Sequence, residues 1–373
     1  MLTRRTLVYS AAAMALAAIL SAPAFADPDA ALAKLQETVL SKGPSGEDPS
    51  PASSVVLTDD ELAKIKSMGA TAAIVMHYGG NDWSRAQING LQTQFAAMGI
   101  KVIAVTDAGF KPEKQVSDLE TIMAQSPNII VSIPTDPTAT ASAYRAAAKA
   151  GAKLVFMDNV PAGFVPGQDY ISVVSADNYG NGVAAAHLMA KALGPDGGEI
   201  GLVYHAADFF VTKQRYDAFK ATIASDYPNI KIVDEKGIGG PDFSGDAEKA
   251  AGAMLTANPG LKGIWAVWDV PAEGVMSAAR ANGRDDLIIT TVDLGENVAI
   301  SMAQGGFIKG LGAQRPYDAG VVEAKLAGYG LLGKSAPKFV ALPALPVSMD
   351  NLLDAWKQVY STEATDNVKS SMK

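Results

Sequence analysis

The chain contains no cysteine. That excludes disulfides, thiolate nucleophiles and thiolate metal sites, so the fold must rest on a buried apolar core. It also excludes the lipid-modified N-terminal cysteine that tethers many exported proteins. Histidine is nearly as scarce: His77, His187 and His205 are the only three, with no metal-ligand spacing among them. Aromatic residues make up 7%, and acids outnumber bases to leave a formal net charge of -8. This balance offers no basic face to nucleic acid or to an anionic membrane surface. No Gly-x-Ser-x-Gly elbow occurs, and a phosphate-binding loop is not expected. Beyond the first 26 residues, no segment is apolar enough to cross a bilayer.

Those first 26 residues do carry a signal. Arg4 and Arg5 precede an uncharged apolar run, Leu7 to Leu20, and Ala24-Phe25-Ala26 supplies a small-x-small cleavage site. The run is short for a bilayer, and Asp27-Pro28-Asp29 follows at once, so the segment predicts export with cleavage after Ala26. Thr3-Arg4-Arg5-Thr6-Leu7 also fits a twin-arginine signal, and both export routes stay open. An exported chain without a lipid tether points to a periplasm. Cleavage removes two arginines and no acid, taking the formal charge from -8 to -10.

Residues 27–53 are rich in proline, glycine, serine and acids, and are expected to form a mobile extension with one short helix at Ala30–Leu40. Thr58-Asp59-Asp60-Glu61 reads as a capping box opening a helix that runs to Met68. From Thr71 short β-rich runs alternate with longer alanine-rich segments. The runs Ala72–Met76, Lys101–Val105, Ile129–Ile133 and Lys153–Met157 read as buried parallel strands. The series restarts with Ile200–Tyr204, Lys231–Val233, Gly263–Val267 and Ile288–Val292. Two βα series of similar length predict two similar doubly wound parallel-sheet domains.

In such sheets ligands bind beyond the carboxyl ends of strands. After the first strand come His77, Tyr78, two glycines, Asn81, Asp82, Trp83 and Ser84; after the fourth, Asp158 and Asn159. The second series ends its strands in His205, Trp268-Asp269 and Asp293; Lys213 and Arg215 follow on a helix, and Gln314 follows Ile308–Leu311. Each Asp or Asn could simply cap a helix or make a turn. Their recurrence in both halves favours a ligand instead. Carboxylates accept from hydroxyls, Arg and Asn side chains donate, and aromatic faces cover the C–H surface of a sugar. That chemistry suits a neutral polyhydroxylated molecule.

The chain resembles the periplasmic binding proteins of sugar ABC transporters, the ribose- and galactose-binding group. Ile133-Pro134-Thr135-Asp136-Pro137, Leu154–Asp158, Ser175 to Gly180, Arg215 four residues before Phe219, and Thr290–Asp293 together carry the likeness, which spans about Ala70 to Val347. It implies a type I periplasmic binding fold: two lobes joined by a three-strand hinge. The expected layout is 70–175 plus 315–342 for the N-terminal lobe and 176–314 plus 343–361 for the C-terminal lobe with its tail helix. A 27–69 extension and a flexible 362–373 terminus complete it. Crossovers are expected near Val174–Asp177, Gln314–Pro316 and Leu342–Pro346.

Carried over by position, the family's ligand-binding residues fall on Asn81, Trp83, Ser84, Asp158, Asn159, Arg215, Phe243, Trp268, Asp293 and Gln314. Asp82 joins them from its place in the same loop. His77, Tyr78, His205, Lys213 and Asp269 stand beside them as further candidates. Ribose-binding relatives carry arginine where this chain has Asn159, and asparagine where it has Trp268. The second ring leaves less room, so a tetritol or pentitol is as compatible as a pentose. The resemblance implies a monomeric binding protein without cofactor or catalysis, whose partner is an ABC membrane permease. A sensor or chemoreceptor partner stays open as the alternative, and a glycoside-processing enzyme is disfavoured because the acids are split between the lobes.

Overall fold

The structure is a computed structural model that describes residues 27–372; the expected export signal lies outside the described residues. β1 (Ser50–Pro51), β2 (Thr71–Met76), β3 (Lys101–Asp107), β4 (Ile129–Ser132), β5 (Lys153–Met157) and β6 (Ser172–Ala176) belong to a first sheet. β7 (Gly198–His205), β8 (Ile230–Ile238), β9 (Gly263–Ala266), β10 (Ile288–Val292) and β11 (Ile308–Ala313) build a second. β12 (Phe339–Leu342) then returns to the first sheet, and β13 (Leu345–Val347) to the second.

The first sheet runs β1-β12-β6-β5-β4-β2-β3, all parallel. The second runs β13-β11-β10-β9-β7-β8, parallel except for β13, which pairs antiparallel with β11. Strand order therefore reverses beside β2 in one lobe and beside β7 in the other, and each reversal opens a crevice at the strand ends. β2, β4 and β5 are almost wholly buried and read as unbroken apolar runs, as strands covered on both faces must. Helix Pro316–Leu332 packs on helix Asp82–Ala97 of the first lobe, whereas helix Leu352–Tyr360 joins the core of the second.

The chain crosses between lobes three times: from β6 through Asp177, from β11 through Gln314 and Arg315, and from β12 into β13. β6 and β12 were expected only as crossovers. Each is a buried strand of the first sheet before it crosses.

The extension, expected as a mobile segment, packs against both lobes. Its helix is Pro28–Leu35, capped by Asp27 with proline at its first position, and it buries Leu32 and Leu35 against Ala184, Leu188 and Ala344 of the second lobe. The backbone N–H groups of Leu40 and Ser41 donate to the Asp177 carboxylate at 2.8 and 2.9 Å, beside the first crossover. β1 then extends the first sheet along β12. The C-terminus also departs from the expected flexible tail. Thr365 caps a helix, Asp366–Ser371, whose Val368 is fully buried in the second core. In both segments a few apolar side chains and one cap fix the chain, signals too short to stand out from polar composition.

Candidate functional site

The strand ends of the two lobes converge on one cavity of about 190 Å³. At roughly 10–15 Å³ for each water-sized group, that holds about 13 to 19, room for one monosaccharide. Asp158, Arg215, Asp293 and Gln314 form its floor, and all four are buried. Asp158 follows β5 and Asp293 follows β10, and both adopt left-handed backbone, with φ of 54° and 71°. Aspartate accepts that region better than most side chains, and such strain clusters at functional sites.

A buried chain of hydrogen bonds joins the floor through the hinge. Ser175 Oγ donates to Asp158 at 2.5 Å, and Asn178 Nδ2 donates to Ser175 Oγ at 3.1 Å. Arg215 Nε donates to Asn178 Oδ1 at 2.8 Å and Nη1 to Asp293 at 3.2 Å; Gln314 Nε2 donates to Asp293 at 2.7 Å. Ser175 and Asn178 flank the first crossover and Gln314 lies at the second. The acids of both lobes are thus oriented from the hinge itself. Burial raises the Asp158 carboxyl to about 6, opposed by its bond from Ser175 and by the Arg215 charge.

Aromatic rings line the remaining walls. His77 meets Phe110 edge-on at 4.9 Å, Phe110 meets Phe243 at 5.3 Å, and Phe243 meets Trp268 at 4.9 Å. Phe209 stacks on His77 at 6.0 Å, and Trp83 sits edge-on to it at 6.1 Å. Phe110 belongs to the first lobe and Phe243 to the second, so the rings bridge the cleft. Burial depresses His77 to about 3 and His205 to about 4, keeping both imidazoles neutral at neutral pH. His77 Nδ1 and Trp83 Nε1 are buried without a partner, as expected of groups kept for a ligand.

Of the expected residues, Asn81, Trp83, Asp158, Arg215, Phe243, Trp268, Asp293 and Gln314 line the cavity, with His77, Tyr78 and His205 among the further candidates. Five do not. Ser84 is fully buried and its hydroxyl donates to the Tyr78 carbonyl at 2.6 Å, fastening the loop that presents Trp83. Asp82 reaches across the cleft to accept from the Glu296 backbone N–H at 2.8 Å. Asn159 is buried behind the wall, its Nδ2 toward the Pro134 carbonyl. Asp269 folds back on the Val270 N–H at 2.9 Å. Lys213 is exposed and pairs with Asp217, one helical turn on. Phe110, Phe209, Val211 and Thr212 line the cavity without having been expected; Ser175 and Asn178 form the relay outside this lining, and Phe110 lies in the turn after β3 with φ of 59°.

Gly328 to Ser335 does have the Gly-x-x-x-x-Gly-Lys-Ser spacing of a phosphate loop, against expectation. It ends a helix instead of leading from a strand into one: Gly333 is the left-handed C-cap and Lys334 pairs with Glu61 at 2.8 Å. Carbonyls, not N–H groups, face out of such an end, so no phosphate cradle forms. Among the described residues, no cluster of histidine and acids could hold a metal ion, and no helix is long and apolar enough to cross a membrane.

Two doubly wound lobes closing on a cavity for one small molecule define a solute-binding architecture. Residues 72–335 match the periplasmic binding protein domain family, and the chain belongs to it. It is 26% identical over 260 residues to the ribose import binding protein RbsB of Bacillus subtilis, covering 68% of this chain and 79% of that one. An ABC transporter solute-binding protein from Mycobacterium smegmatis with bound glycerol superposes with a TM-score of 0.70 at 26% identity, covering 80% of this chain and all of that one. One from Agrobacterium vitis bound with α-D-tagatopyranose gives 0.71 at 23% identity, over 79% of this chain and all of that one. The relatives and neighbours are ABC sugar-binding proteins.

Proposed function

We propose that this chain is the binding component of an ABC importer, taking up one small neutral sugar or sugar alcohol between its lobes and delivering it to a membrane permease. The observation that carries this reading is the floor. Two carboxylates and one guanidinium, held in one hydrogen-bonded chain, face a cavity of monosaccharide size. Hydrogen bonds to charged groups contribute about 1.5–3 kcal/mol each, so a few hydroxyls suffice for micromolar binding, about -8 kcal/mol. Arg215 is already paired with Asp293, which leaves no surplus cation for an acidic ligand. The sugars, sugar alcohols and glycerol bound by its structural neighbours belong to this chemical class.

Within this reading Asn81, Trp83, Asp158, Arg215, Phe243, Trp268, Asp293 and Gln314 contact the ligand. The N-terminal signal exports the chain to the periplasm, where it works as a monomer without a cofactor. Closure about the three crossovers changes the surface shown to the permease, so occupancy is the signal. The test is a thermal-shift screen of the protein lacking residues 1–26 against pentoses, hexoses, tetritols and pentitols. A ligand at a hundred times its Kd adds about 2.7 kcal/mol of stability. A clear shift with one sugar or polyol supports the reading; none across the panel defeats it.

A further inference from the structure

The cavity is chemically one-sided, and this bears on its ligand. All of its ionised side chains except one lie on the floor: Asp158, Arg215 and Asp293. The exception, Asp242, is exposed at the rim and is engaged as a helix cap, accepting from the Gly245 N–H at 3.0 Å. The facing wall is built mainly from His77, Phe110, Phe209, His205, Phe243 and Trp268, with aliphatic Ile133, Val211 and Val270 between them; Tyr78, Asn81, Thr212 and Ser244 add polar but uncharged groups to the lining. Its imidazoles are neutral, and Nδ1 of His205 is already taken by Thr212 at 3.1 Å. Charge-assisted hydrogen bonds are therefore offered to one end of a ligand, and ring and aliphatic surface to the other.

We infer that the ligand is amphipathic: a short polyol or sugar hydroxylated at the end that meets the floor and deoxygenated, ending in methyl or methylene groups, at the end that meets the rings. This rests on the sugar-binding reading above and narrows it. A hydroxyl pressed against the wall leaves water and gains at most an uncharged hydrogen bond, from the unpartnered His77 Nδ1, whereas a methyl on the ring faces buries apolar surface. Discrimination by one such group in an apolar pocket is roughly tenfold to a hundredfold.

The test is calorimetric titration of the protein lacking residues 1–26 with matched pairs that differ by one terminal hydroxyl. The pairs are L-fucose and L-galactose, L-rhamnose and L-mannose, 5-deoxy-D-ribose and D-ribose, and 1-deoxyerythritol and erythritol. The expected result is that the deoxy member binds at least tenfold more tightly in every pair that binds. Trp268→Asn, which returns a polar amide to the wall, should shrink that preference to threefold or less. Equal or tighter binding of the fully hydroxylated members overturns this inference while leaving the sugar-binding reading intact. No binding by any member of the panel overturns both.

Discussion

Asp158→Asn separates the binding role of this acid from any role in holding the fold. Asparagine keeps the shape of the side chain and tolerates the left-handed backbone at φ 54°, where alanine adds strain. What it removes is the charge. If ligand hydroxyls donate to this carboxylate, affinity falls by the charge-assisted part of the interaction, about 1.5–3 kcal/mol, or roughly 10- to 150-fold in Kd. Stability moves the other way. A carboxyl whose folded pKa is raised from 3.8 to about 6 by burial contributes stability below its unfolded value, and that contribution is lost as pH rises through 6.

Above pH 6 the buried charge costs up to roughly 3 kcal/mol, so the neutral variant should melt no lower than the parent at pH 7.5. Donation by ligand hydroxyls favours the ionised acid, so affinity of the parent should rise between pH 5 and 7 and that of the variant should stay level. Calorimetric titration with the ligand found in the screen, together with melting curves of the empty protein, reads all three. Binding within threefold of the parent, or a fall in Tm alongside the weaker binding, would refute the reasoning.

Other expectations follow from the same geometry. Trp83→Ala should weaken binding at least tenfold with the far-UV circular dichroism unchanged, because its ring lines the cavity and is only half-buried. Asn178→Ala breaks the relay between Ser175 and Arg215 without touching the cavity; a loss of fivefold or more in affinity is expected by titration, and recovery in Asn178→Gln would point to positioning. Deleting residues 27–53 from the exported form exposes the partners of Leu32 and Leu35 and should lower the denaturant midpoint by an amount equivalent to several kcal/mol, at about 1.5–3 kcal/mol per buried leucine. His77 and His205 have folded pKa values far below 6.5, so their contribution is present above pH 6.5 and lost as pH falls towards 4. His77→Gln should accordingly flatten the decline of stability between pH 6.5 and 4.5, measured by chemical denaturation.

The sheets were legible because their signal is redundant. β5 and β10 are apolar runs whose bounds coincide with those read from sequence, and Asn178–Leu193 is a helix opened by Asp177 as its cap. The floor was legible for a related reason: Asp158 and Asp293 immediately follow such strands, and topology alone sends those positions to the crevice. What composition could not convey was direction. Ser84 sits one residue from Trp83 yet points back at the Tyr78 carbonyl, and Asp82 turns across the cleft to the Glu296 N–H. Helix geometry rotates successive side chains by about 100°, so neighbours in a loop-to-helix turn cannot all face one ligand. Asn178 was visible only as part of a pattern, since its partners lie 3 and 37 residues away.

Distance from the hinge orders the rest of the site. Asp158, Arg215 and Gln314 are tied to the crossovers by Ser175, Asn178 and the strand end of β11, so rotation of the lobes displaces them least. Phe110 stands in the turn after β3 of one lobe and Phe243 at the start of a helix of the other, remote from all three crossovers in the chain, and their rings meet across the cleft at 5.3 Å. A ligand held first by the floor would keep its charged partners through most of the motion, while the rings are completed last. Affinity for hydroxyls then resides in groups whose geometry is preset, and the apolar wall decides which ligand ends are accepted. The two functions are separable by substitution: floor variants should lower affinity for every hydroxylated ligand, whereas wall variants such as Trp268→Asn should alter the ranking of ligands more than the tightest affinity itself.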